Sequence, residues 1–248
     1  MHVGRNIRLL LEYDGSRYHG WQRQKNALSI QQVLEEALAR LTGEQISLIA
    51  SGRTDAGVHA LGQVANFRTI GALPLKAFED GVNSLLPWDI AVLEAREVPP
   101  EFHARKSALL KTYEYRILNR PRRSPLHHHS GWWLSGNLDL KAMAAAAALL
   151  PGEHDFSAFR ASGSGSLNPV RRIAAARWRT HPGGWLIFTI TGNGFLRGMV
   201  RSLVGTMAAV GQGKAAPDLL GDLLKNRERH LAGPTAPPQG LFLVAVEY

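Results

Sequence analysis

Cysteine is absent from all 248 residues. That excludes a disulfide framework, a thiolate metal site and a cysteine nucleophile. No apolar run approaches the ~20 residues a membrane-spanning helix needs, so no membrane association is expected. The stretch Met1 to Asn6 lacks the apolar segment of a signal peptide, and a cytoplasmic location is the expectation. There is no Walker A loop and no GxSxG elbow. Carboxylates are unevenly spread. None occurs from Phe156 to Pro217, where Arg160, Arg171, Arg172, Arg177, Arg179, Arg197, Arg201 and Lys214 all fall.

What is present is cationic. Lys and Arg number 29 against 20 Asp and Glu, and 22 of those cations are Arg. A guanidinium grips phosphate with a planar two-donor fork that an ammonium lacks. Residues 1–103 carry net −2 and residues 104–248 net +11. Charge alone fits either a protein kept soluble by repulsion or one that attracts a polyanion, and the asymmetry favours nucleic acid. At 45% hydrophobic, the chain can bury a sizeable core.

The apolar pattern predicts two halves of similar element order. A strand over 7–13 ends at the turn Asp14-Gly15-Ser16. Ser29 with Gln32 reads as a capping box opening a helix that Gly43 stops. Short strands over 46–50 and 64–67 flank a Gly-containing loop, a helix runs over 74–85, and a strand over 90–98. The second half offers strands over 108–118, 171–180, 185–191 and 241–248, and helices over 139–150, 195–210 and 217–225. Both halves read βαββαβ, the split βαβ plan. The expected architecture is α+β: two tandem ferredoxin-like halves in a mixed, mostly antiparallel sheet with a central basic cleft. The expected division is 1–104, with the Asp55 loop, and 105–248, the basic half. Ser162 to Ser166 should be a mobile loop, and Gly233 to Gln239 a structured connection.

Four constellations could carry chemistry. Ser51-Gly52-Arg53-Thr54-Asp55-Ala56-Gly57-Val58-His59-Ala60 lies between two short strands, where a rigid sheet can present a loop. Asp55 beside Arg53 could serve as nucleophile or base, though a surface ion pair in an Asx-turn is the commoner meaning of such an Asp. Tyr13 to Gln24, with three aromatics, Arg17 and Arg23, suits either base stacking with phosphate contact or a loop pinned by its own rings. In Lys111-Thr112-Tyr113-Glu114-Tyr115-Arg116-Ile117, alternation puts Tyr113 and Tyr115 on one face, and Arg120, Arg122 and Arg123 follow as a phosphate-facing turn. Gly192 to Gly205 tempts a dinucleotide reading, but GxGxxG needs Gly where Arg197 stands. Read as one helix, Arg197 and Arg201 share a face four residues apart, and a partly buried guanidinium there calls for an anion such as Asp55. His127-His128-His129 has no metal-ligand spacing and reads as a polar loop.

Taken together, YDGSRYHGWQRQ, SGRTDAGVHA, FHAR (Phe102 to Arg105), KTYEYRI, DFSAFR (Asp155 to Arg160), GNGFLRGMVR and GLFLVAVEY resemble the TruA-type tRNA pseudouridine synthases. The resemblance implies the pseudouridine synthase fold and conversion of uridine to pseudouridine at nucleotides 38, 39 and 40 of the tRNA anticodon stem-loop. It implies Asp55 as the essential carboxylate, Tyr113 packed on the target base, Arg201 paired with that carboxylate, and Leu241 as an apolar pocket wall. It also implies a homodimer, no metal and no organic cofactor. Arg53, Arg23, Arg197, Arg122 and Arg123 are further substrate-binding candidates. The family often has His where Gly198 stands, so no role for that His transfers, and a Gly inside a helix should cost up to about 1 kcal/mol relative to Ala. The alternative is a tRNA-binding module without catalysis, which would leave Asp55 without purpose, since a carboxylate near phosphates only repels them.

Overall fold

In a computed structural model, residues 4–161 and 168–248 are described; the expected Ser162–Ser166 loop lies outside them. Among the described residues, ten strands and few helices form an α+β fold. It divides into two compact units. The first runs to Leu109 and takes up Leu243–Tyr248; the second is Leu110–Phe242.

In the first unit β1 (Arg5–Tyr13) is followed by α1 (Ile30–Thr42), β2 (Ile49–Ala50), β3 (His59–Thr69) and β4 (Ile90–Val98). β1 lies antiparallel between β3 and β4, and β2 pairs with β3. Alternate residues of β1, Ile7, Leu9, Leu11 and Tyr13, are buried, as are Ile30, Leu34 and Leu38 of α1. The periods of 2 and 3.6 read from the sequence are these two buried faces. Each such large apolar side chain contributes about 1.5–3 kcal/mol on burial.

Three local expectations are corrected. The Ser29 hydroxyl caps α1 by accepting Gln32 N–H at 3.3 Å, but the Gln32 amide donates to Glu36 at 3.0 Å instead of reaching back, so only half of the capping box forms. The strand expected over 46–50 shrinks to Ile49–Ala50. Side chains of α1 take the backbone before it: Glu35 accepts Leu48 N–H at 3.0 Å, and Gln31 donates to the Leu48 carbonyl at 3.3 Å. The helix expected over 74–85 contains a π-turn, Ala77–Gly81.

The FHAR segment proves to be a strap on this unit. Asn6 donates to the Pro99 and Phe102 carbonyls at 3.0 and 2.9 Å. Asn66 donates to Asn6 at 2.8 Å and accepts Ala104 N–H at 2.9 Å. The Tyr248 hydroxyl donates to the Ala104 carbonyl at 2.8 Å, its ring 4.9 Å from Phe102. Asn6 and Asn66 are buried, and buried amides persist only when so satisfied.

The second unit holds β5 (Leu110–Asn119), β6 (Trp132–Leu134), α2 (Leu140–Ala147), β7 (Gly152–Asp155), β8 (Val170–His181), β9 (Trp185–Gly192), α3 (Met199–Gly211), α4 (Leu219–Asn226) and the start of β10 (Leu241–Glu247). β5 pairs antiparallel with β9, β9 with β8 and β8 with β7, while β6 runs parallel to β5. β6 and β7 are additions to the expected βαββαβ order; at three and four residues they are too short to show a period. α3 meets the N-terminus of α2 where Asp139 N–H bonds the Gly211 carbonyl at 2.8 Å. Trp178 of β8 donates to the Met207 sulfur of α3 at 3.4 Å.

Candidate active site

In the first unit, the Asp55 loop leaves the sheet after β2 and rejoins it at β3, and its backbone is tied at nearly every step. Ser51 N–H bonds the Val64 carbonyl at 2.7 Å. The Ser51 hydroxyl donates to Gln63 at 2.7 Å, and the Gln63 amide donates to the Gly52 carbonyl at 2.9 Å. The hydroxyls of Tyr13 and Thr54 share a 2.9 Å bond. Burial pushes the Tyr13 phenol up to about 12, although Thr54 and Gln63 pull it down, so Tyr13 stays protonated as part of the frame. Val58 N–H closes a turn on the Asp55 carbonyl at 3.1 Å. Asp55 is thus half-exposed between buried Thr54 and exposed Ala56, and Arg53 is exposed.

The second constellation is the other wall of this loop. Trp21 N–H bonds the Thr54 carbonyl at 3.0 Å, and Gly57 N–H bonds the Tyr18 carbonyl at 3.3 Å. Gly15 lies so close that a Cβ would overlap the Val58 carbonyl oxygen. Tyr13, Tyr18 and Trp21 are all buried. The base-stacking reading of these three rings is therefore corrected: they pack under the loop that carries Asp55. Arg23 faces α1, 3.2 Å from Glu35 and 3.6 Å from Glu36.

In the second unit, Tyr113 of β5 pairs with Ile190 and meets Phe195 edge-on at 5.1 Å. Tyr113, Tyr115 and Ile117 are buried on one face, as alternation requires. The Tyr115 hydroxyl donates to the Pro237 carbonyl at 2.7 Å. Burial raises the Tyr115 phenol's pKa, against the nearby Arg201 charge. Arg201, half-buried on α3, donates through Nε to the Ala236 carbonyl at 2.8 Å, and Ala236 N–H returns to the Arg201 carbonyl at 3.1 Å. The connection over 233–239 is therefore structured, as expected, and it fixes Arg201 before delivering buried Leu241 to β10.

The helix expected over 195–210 begins only at Met199. Gly198 precedes it with φ 71°, a left-handed conformation, so Arg197 sits exposed in the turn before α3 and does not share a helical face with Arg201. The expected cost of Gly198 is corrected in sign. Ala at that φ would be strained, and its Cβ would come 3.1 Å from the Ala161 Cβ. Gly198→Ala is expected to destabilise by about 1–2 kcal/mol, which calorimetry would read as a lowered melting temperature.

Arg122 and Arg123 are exposed after β5. Arg120, grouped with them in the sequence, instead folds the turn, donating to the Arg122 and Arg123 carbonyls at 2.8 and 3.4 Å. Among the described residues no group of three or more His, Asp or Glu could hold a metal ion, and no helix is long and apolar enough to cross a membrane. In the histidine run, His128 and His129 rings lie 3.6 Å apart, and His127 meets Trp185 edge-on at 5.1 Å. Gln63 is not among the residues the sequence singles out, and 233–239 reads there only as a connection, with no tie to Arg201. Gln63 carries no signal beyond a polar residue on a strand, and the role of 234–236 lies in backbone groups.

A family model described as tRNA pseudouridine synthase matches residues 10–105 and 146–248. A tRNA pseudouridine synthase A of Geotalea uraniireducens (strain Rf4) is 51% identical over 244 residues, covering 98% of this chain and all of that protein. The tRNA pseudouridine synthase A of Geotalea daltonii is 49% identical over 247 residues, and that of Thermoanaerobacter sp. (strain X514) 46% over 244, each covering 98% of this chain and 100% of the relative. The chain belongs to the tRNA pseudouridine synthase family. It is accordingly an isomerase acting on tRNA. Asp55, Arg53, Arg23, Arg197, Arg201 and Leu241 fall within the matched segments; Tyr113, Arg122 and Arg123 fall between them.

Proposed function

We propose that this synthase converts uridine to pseudouridine at positions 38, 39 and 40 of the tRNA anticodon stem-loop, with Asp55 as the catalytic carboxylate. The observation that carries the assignment is the Asp55 loop: a half-exposed carboxylate on a backbone tied at residues 51, 52, 54, 57 and 58. Such pre-organisation is what a nucleophile or base needs. The net reaction exchanges an N1–C1′ bond for a C5–C1′ bond and moves one proton from C5 to N1, so it needs no oxidant or reductant. Tyr113 is assigned to packing on the target base. A base that leaves its stack costs a few kcal/mol, and packing on a ring offsets that cost. Arg201 is assigned to pairing with the carboxylate, and Leu241 to an apolar pocket wall. Arg53, Arg197, Arg122 and Arg123, all exposed, are assigned to phosphates. Arg23 remains a substrate-binding candidate through its half-exposed guanidinium. A homodimer in the cytoplasm completes the reading, supported by the family resemblance.

The test is tritium release from 5-tritiated uridine in an unmodified tRNA transcript, with the modified positions mapped afterwards. Release from 38, 39 and 40 is expected; tRNA binding without release would favour the non-catalytic module. Arg122→Ala and Arg123→Ala should each weaken binding and lower the slope of log Kd against log salt by about 1. An unchanged slope would place both groups off the RNA path.

A further inference from the structure

Trp88 is 84% exposed, against 40% for Trp133, the next most exposed tryptophan among the described residues. It does not sit on a loose tip. Its turn is closed by Ile90 N–H on the Pro87 carbonyl at 3.1 Å, and Asp14 N–H bonds the Asp89 carbonyl at 2.9 Å. The adjacent Asp89 side chain, 1% exposed, accepts the Tyr18 hydroxyl at 2.6 Å and the Arg17 guanidinium at 3.2 Å. Arg17 itself is 63% exposed. Residues 14–18 in turn pack on the Asp55 loop through Gly15 against Val58 and through the Tyr18 carbonyl on Gly57 N–H at 3.3 Å. A chain of hydrogen bonds within one unit, anchored on the buried Asp89 carboxylate, therefore holds a bare indole and a solvent-facing guanidinium in fixed relation to the proposed catalytic loop.

We propose that Trp88 and Arg17 form an RNA contact point outside the pocket, where the indole face stacks on an unpaired nucleobase near the target and Arg17 holds an adjacent phosphate. An exposed ring on a rigid turn loses little entropy on stacking, and every base offers it a face. The neighbouring guanidinium supplies the charge that an anionic backbone matches and that an apolar protein partner would not need. The inference rests on the reading of this chain as acting on an anticodon stem-loop.

The experiment measures the Kd of an anticodon stem-loop RNA in the Asp55→Asn background, where turnover does not intervene. Adding Trp88→Ala should weaken binding about tenfold, Trp88→Phe should recover most of it, and neither should change the salt slope. Because the side chain is exposed, the Ala variant keeps the fold. A Kd unchanged within about twofold, or a changed oligomeric state in place of a changed RNA affinity, overturns the proposal. Absence of pseudouridine formation by the wild-type enzyme would instead overturn the functional reading, and the binding measurement separates the two.

Discussion

Asp55→Asn is expected to lower pseudouridine formation by about a thousandfold or more, the scale on which loss of a reacting group falls, while tRNA affinity is retained or slightly raised. The change keeps the shape of the side chain and removes its charge. Bonds from Ser51, Gly52, Thr54, Gly57 and Val58 and to the Asp55 carbonyl hold the loop, and the substitution leaves these in place. Affinity rests on phosphate contacts, and deleting one anion cannot weaken those. Tritium release and a filter-binding Kd on the same preparation check both halves. A normal yield of pseudouridine from the variant would remove Asp55 from the chemistry.

Gly205→Ala is the second large effect, and its sign is contrary to helix propensity. In an open helix, Ala would be more stable than Gly by about 1 kcal/mol. On α3 the backbone of residue 205 lies directly against the crossing segment, and a Cβ would overlap the Pro234 carbonyl oxygen and come 3.1 Å from Ala236 N. Backbone on backbone cannot yield as a side-chain end does. The overlap should outweigh the propensity gain and destabilise by about 3 kcal/mol, a melting temperature lower by roughly 6–12 °C for a chain of this length. Because Ala236 also holds the Arg201 guanidinium, activity should fall even below the transition. An unchanged melting temperature would show that the 233–239 connection moves aside freely.

The sequence disclosed these elements unevenly, for physical reasons. α1 was plain because Ser29, the apolar spacing and Gly43 all agree. The turn at 182–184 between β8 and β9 was plain because Pro and Gly cluster there. The start of α3 differs from the expected one because letters do not state φ: Gly198 reads as helix interior until its left-handed backbone is seen. The burial of Tyr13, Tyr18 and Trp21 was a choice between two uses of the same rings, and only three-dimensional packing decides it. Arg120 differed from Arg122 and Arg123 through carbonyl geometry that composition cannot express. The motif around Asp55 was legible as unusual, whereas its supports, Gln63 and the backbone of residues 14–21, were not, because they act through ordinary amides.

The first unit is built from two stretches of chain far apart in synthesis: it closes only when Leu243–Tyr248 join the residues up to Leu109. At about 5–20 residues per second, the ribosome needs roughly 7–27 s to make the intervening Leu110–Phe242. During that interval the nascent first unit lacks its last strand segment and the tyrosine that latches the FHAR strap. A premature stop a few codons before residue 248 would therefore damage the N-terminal unit, although every residue up to Leu109 had been made correctly.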